Sequence, residues 1–120
     1  MLRACGAGMV MGLTTALWVM AQVRLCNQRF KPAMVVRRGD PDAGAVLLKV
    51  NRFDQGCIVW SQTTNMEGES AWMRGTGPAA VPEADADAYV GRQVGYDSDL
   101  WVVEIEDQAA DWEPPGTVVR

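Results

Sequence analysis

The chain has 120 residues, 48% hydrophobic and 22% charged, with a formal net charge of −4 at pH 7 and no histidine. That length suits one domain with a single core, and the near-average balance of apolar and charged residues argues against wholesale disorder. Without histidine the commonest general base and zinc ligand are missing, and three dispersed cysteines (Cys5, Cys26 and Cys57) read as free thiols in a reducing compartment rather than as a disulfide framework.

Residues 4 to 23 are uncharged and largely apolar, and Val19-Met20-Ala21 imitates a signal-peptidase site. Gly6, Gly8, Gly12, Thr14, Thr15 and Gln22 dilute that stretch, which argues against a membrane span. The expectation is therefore a cytoplasmic protein, with export through residues 1–21 as the alternative. Residues 1–12 read as a leader or an early start, 13–107 as a single α+β domain, and 108–120 as a loosely ordered tail.

A helix is expected from Thr14 or Thr15, either able to cap it, to about Gln28, with Leu17, Trp18, Ala21 and Leu25 as its core-facing stripe. Ala33 to Arg38 follows as a strand. The loop Gly39-Asp40-Pro41-Asp42-Ala43-Gly44 is rich in turn formers, and Ala45 to Asn51 returns as a second strand, so this stretch reads as a hairpin. Cys57 to Gln62 is a third strand, apolar on both faces and so central; Ser70 to Arg74 is a short fourth. Pro82, Glu83, Asp85 and Asp87 open a second helix whose stripe is Ala86, Tyr89, Val90 and Val94. A final strand spans Leu100 to Glu106, with Glu104 and Glu106 on its wet side. Helix, four-strand antiparallel meander, helix and final strand predict one sheet with both helices on one face.

Val35 to Asn51, Pro82 to Gln93 and Asp99 to Asp107 together resemble bacterial domain-of-unknown-function family 1491, and the likeness runs from about Leu17 to Asp107. The resemblance implies a single-domain bacterial protein and carries over no catalytic residue.

Charge divides along the chain. Residues 1 to 74 carry nine Lys/Arg against five Asp/Glu, and residues 75 to 120 carry two against ten. Whether the basic half presents a field to a partner depends on where the fold puts the acidic half. Arg37, Arg38, Asp40 and Asp42, with Arg74, form the candidate site: forked guanidinium donors suit a carboxylate, a phosphate or an acidic protein segment. The simpler reading is a solvated hairpin whose charges pair locally.

Asp40-x-Asp42-x-Gly44 starts like a calcium loop, but Asn51 stands where the closing glutamate belongs, so no metal and no cofactor is expected. Glu104 with Glu106, and Asp97 with Asp99, read as strand and turn surface rather than as an acid/base pair. Cys57 reads as an inert buried thiol, and Trp72 and Trp112 as the tryptophans free to anchor a partner. The sequence thus points to a non-enzymatic protein-binding or adaptor module, with an anionic-ligand-binding domain or small enzyme as the alternative. Nucleic acid is disfavoured by the overall charge.

Overall fold

A computed structural model describes residues 13–119. The leader expected over residues 1–12 lies outside them. Two helices flank one sheet: α1 (Thr15–Gln28), β1 (Ala33–Arg37), β2 (Val46–Asn51), β3 (Cys57–Thr64), β4 (Ser70–Arg74), α2 (Glu83–Tyr96), β5 (Trp101–Glu106) and β6 (Val118–Val119), with a 3-10 turn at Phe53–Gln55. Among the described residues no helix is long and apolar enough to cross a membrane.

The α+β class and each main element stand where the sequence puts them, but the sheet is a mixed six-stranded one and not an antiparallel meander. Its order is β1-β5-β2-β3-β4-β6. The final main strand, β5, inserts between β1 and β2, antiparallel to the first and parallel to the second. Hence β1 and β2 are not a hairpin. Residues 38 to 45 instead step across the end of β5. The parallel β2–β5 pair needs a long crossover, which β3, β4 and α2 supply.

The physical reason for the central place of β5 is burial on both faces. Trp101, Val103 and Ile105 join the larger core with Val46, Leu48, Val50, Ile58, Trp60 and Trp72, while Val102 is also buried and Leu100 belongs to a second cluster with Leu47, Cys57, Val59 and Ala86. Strands apolar on both sides need cover on both sides. The helices accordingly lie on opposite faces, α1 over the larger cluster and α2 over the smaller, which corrects the expectation of one helical face.

Thr14 caps α1 by accepting from the Leu17 N–H at 3.3 Å. The buried stripe of α1 is Thr15, Trp18, Val19 and Cys26, not the expected Leu17, Ala21 and Leu25. Trp18 is shared between the two alternatives and fixes the rotation. Its ring stacks on Trp72 with centroids 5.7 Å apart, and burying two indoles outweighs burying the leucines beside them. The stripe expected on α2 does pack inward, with Ala86 buried and Tyr89, Val90 and Val94 against it.

The segment from Gln108, expected to be loosely ordered, folds back on the domain. Trp112 and Pro114 are buried, and β6 pairs in parallel with β4 through Trp72 opposite Val118. Buried Asp107 holds the turn into it. The Asp107 carboxylate accepts from Lys31 Nζ at 2.7 Å, Arg52 Nε at 3.1 Å and the Trp112 N–H at 2.9 Å.

Candidate functional site

The connection from Arg38 to Gly44 is built to hold other elements. The Thr15 and Ala16 N–H groups at the start of α1 donate to the Asp42 and Pro41 carbonyls at 3.2 and 2.9 Å, meeting two of the donors that a helix N-terminus leaves unpaired. Trp101 Nε1 donates to the Asp40 carbonyl at 2.7 Å, and Asp40 Oδ2 accepts from the Ala43 N–H at 2.8 Å. A Cβ on Gly39 or Gly44 would overlap the Asp99 carbonyl oxygen, so backbone lies directly against backbone here.

Within that connection the two arginines divide. A β-bulge between Val35 and Arg37 sets Arg37 opposite Val102, and its guanidinium donates to the Leu100 carbonyl at 2.7 Å. Arg38 is exposed and lies over the Trp101 ring, 5.0 Å from its centroid. Asp42 is exposed and Asp40 partly buried. Arg74 is not with them: β5, β2 and β3 stand between β1 and β4, which at the usual strand spacing is about 19 Å across the sheet. The five expected site residues therefore form two places, with Arg37 largely committed to the fold.

Next to the loop lies a surface that helical spacing assigns to the core. Leu17, Met20 and Leu25 are 56%, 59% and 43% exposed on the outward face of α1, with Ala21, Arg24 and Gln28 exposed among them and Arg29 and a 92% exposed Phe30 at the helix end. Neither Arg24 nor Arg29 is ion-paired among the described residues.

Around Arg74 the sheet assembles a different set. Trp60 stands opposite Arg74 and Gln62 opposite Trp72, so these four side chains form a block of two neighbouring cross-strand pairs. The Arg74 guanidinium lies 5.3 Å from the Trp60 ring centroid and donates to the Pro78 carbonyl at 2.8 Å. A groove of about 360 Å³ opens there, lined by Trp60, Met73, Arg74, Gly77, Pro78, Val118 and Val119.

Two further charged clusters were not anticipated. Lys49, only 5% exposed, points toward α2, where its ammonium meets Glu83 at 2.8 Å, Asp87 at 2.6 Å and Glu104 at 3.6 Å. Burial would lower its pKa, but hydrogen bonds to Asp87 and Glu83 outweigh that and raise it. Glu104 is thus a partner of Lys49 rather than bare strand surface. Asp107 is buried too, yet the Lys31 ammonium and the Trp112 and Asp111 N–H groups hold its pKa below the ordinary value, while its carboxylate and that of Asp111 raise Lys31.

The thiols of Cys57 and Cys26 are pushed up by burial, as inert thiols are. Trp72 and Trp112, expected from the sequence to be free to anchor a partner, are buried. For Lys49 the one available signal was a lysine alternating with Leu47 and Asn51 in an otherwise apolar strand, facing a helix that opens with three acids.

The sequence profile of the DUF1491 family, proteins of unknown function, matches residues 13–112. A crystal structure of a DUF1491 family protein from Caulobacter crescentus CB15 is similar at 38% identity and a TM-score of 0.79, covering 89% of this chain and 99% of that one. An NMR structure of a DUF1491 family protein from the same organism gives 38% identity and a TM-score of 0.78 over 92% and 100% of the two chains. The solution structure of protein Atu0922 from A. tumefaciens is similar at 27% identity with a TM-score of 0.65, over 81% and 87%. None of the curated proteins matches the sequence. With two thirds of its length and more aligned at these levels, and with a sheet and helices that superpose on theirs, this chain belongs to the DUF1491 family.

Proposed function

We propose that the chain is a non-enzymatic binding module that docks an acidic protein segment along the outward face of α1 and the neighbouring Arg38 loop. The observation that carries this is the exposure of Leu17, Met20 and Leu25 on the same face as Arg24 and Arg29, which form no ion pair among the described residues. A helix face both apolar and basic suits a partner that alternates apolar and acidic side chains.

Placement of the helices supports the same reading. Glu83, Asp85 and Asp87 sit on α2, across the sheet from α1, and two of them are turned to Lys49. The α2 acids thus stand on the other face, and Asp107 and Asp111 are taken up by Lys31 and Arg52, so the field of Arg24 and Arg38 reaches solvent on the α1 side, with Glu113 beside Arg29 at the helix end. Arg37, bound to the Leu100 carbonyl, orders the loop rather than grasping the partner.

The test is photo-crosslinking in lysate of the source cell, with benzoylphenylalanine placed at Met20, or at Tyr96 on the far side as control. Capture of an acidic segment at Met20 is expected to fall several-fold between about 50 and about 300 mM salt, as exposed charges are screened. Reversing Arg24 and Arg29 to glutamate should abolish it. Capture that is equal at Tyr96, or indifferent to charge reversal, would overturn the reading.

A further inference from the structure

Independently of the α1 surface, we infer that the groove over Trp60 and Arg74 is a binding site for a small monocarboxylate with an apolar body. Three buried N–H donors have no acceptor among the described residues: Trp60 Nε1, Trp72 Nε1 and Gln62 Nε2. Both tryptophans are completely buried. Gln62 has its carbonyl oxygen engaged by the Val46 N–H at 2.8 Å, so only its NH2 remains to be satisfied.

These three belong to one block. Gln62 lies two residues beyond Trp60 on β3 and directly opposite Trp72 on β4, while Arg74 faces Trp60 across the same pair of strands. Val118, which lines the groove, stands beside Trp72 on the other side. Of these residues Trp60 and Arg74 line the groove, with the unpaired Trp60 indole N–H and the remaining N–H groups of the guanidinium as its donors, while Trp72 and Gln62 pack beside them. An unpaired buried donor is costly to the fold, so a group that accepts from the Trp60 indole and from Arg74 gains on entering.

Ligand chemistry follows from that inventory. An acceptor without protons of its own answers a set that holds no acceptor, and a carboxylate brings two oxygens with about four lone-pair sites. Among the described residues Arg74 is the one cation lining the groove, which suits a single negative charge better than a phosphate dianion, and the chain as a whole carries −4. Met73, Pro78, Val118 and Val119 line the rest with apolar surface. At about 360 Å³ the groove is at the small end of the ~300–1,000 Å³ typical of ligand sites.

The experiment is an NMR titration of 15N-labelled full chain, read at the indole N–H resonances, with benzoate as probe, benzyl alcohol as its neutral counterpart and phenyl phosphate as the dianion. A saturable shift of the Trp60 indole signal by benzoate is expected, with benzyl alcohol without effect and phenyl phosphate weaker. Arg74→Gln should weaken benzoate at least tenfold. Because Arg74 also holds Pro78, a second variant, Val119→Glu, places a carboxylate at the exposed rim and should weaken benzoate while leaving the fold unchanged. Indole signals that do not move, that move equally with benzyl alcohol, or that keep their benzoate affinity in Val119→Glu would overturn the inference. Tighter binding of phenyl phosphate would overturn the carboxylate assignment.

Discussion

Lys31 Nζ lies 2.7 Å from Asp107 Oδ1, joining residues 76 positions apart at the place where β1 begins and β5 ends. The carboxylate is fully buried, and Arg52 Nε reaches its other oxygen at 3.1 Å. Asp107→Asn keeps the shape but leaves two cations facing a neutral amide. The expected loss is about 3 kcal/mol, in the range for breaking a buried ion pair, read as a lower urea midpoint with an unchanged slope.

The same groups set the pH dependence. Asp107 has its pKa lowered from 3.8, so its stabilising contribution is complete above that value and is lost as pH falls through the lower, folded-state pKa. Lys31 and Lys49 are raised from 10.5, so theirs is complete below 10.5 and is lost as pH rises through the folded-state values. Cys26 and Cys57, raised from 9.0, add to the alkaline loss, because unfolding frees thiols that ionise more readily. Melting temperature plotted against pH should be level from about pH 5 to about pH 8, fall on both sides, and have a shallower acid limb in Asp107→Asn.

Lys49→Ala removes the one cation shared by Glu83, Asp87 and Glu104 and leaves a gap under α2. It should cost about 2–4 kcal/mol, whereas Glu83→Gln or Asp87→Asn alone should cost less than about 1 kcal/mol, because each of those side chains is more than half exposed and the other remains. Chemical denaturation of the three variants checks the ordering.

Gly39→Ala drives a methyl group into the Asp99 carbonyl oxygen, where the Asp40 N–H also donates at 2.9 Å. Since both sides of that contact are backbone, neither yields cheaply, and a loss of roughly 1–3 kcal/mol is expected. Gly91→Ala is the control, because a Cβ there meets nothing within 4 Å on an exposed stretch of α2, and the exchange should stabilise slightly.

Trp18→Ala should cost about 3–5 kcal/mol, and Leu17→Ala, one residue away, less than about 0.5 kcal/mol. The contrast follows from their exposure, 3% against 56%. Equal losses at the two positions would show that α1 is rotated from the orientation described and would remove the basic and apolar face proposed for partner binding.

Much of the local structure was legible in the chain. A threonine cap at position 14 or 15, the stripe Ala86, Tyr89, Val90 and Val94, and the strands around Leu48, Ile58 and Ile105 follow from hydrophobic period and turn chemistry, which act between residues close in sequence. The candidate site was legible only in part. Arg38 is exposed, but Arg37 is engaged by the Leu100 carbonyl, 63 positions away, and Arg74 lies several strands off. A signal for two-sided cover was present in the unbroken apolar runs Val46-Leu47-Leu48 and Trp101-Val102-Val103, which a sheet with one wet face does not need.

The α+β class, the two main helices and the main strands follow from the amino-acid order alone, because each rests on a pattern within a dozen residues. Long-range packing puts β5 between β1 and β2, sets the helices on opposite faces, turns Trp18 of α1 inward and Leu17 outward, and makes Trp60, Gln62, Trp72 and Arg74 one block. Strand pairing is a competition among all segments that can offer the same backbone ladder, and it is settled by which arrangement buries both faces of the most apolar strands. No local pattern contains that comparison.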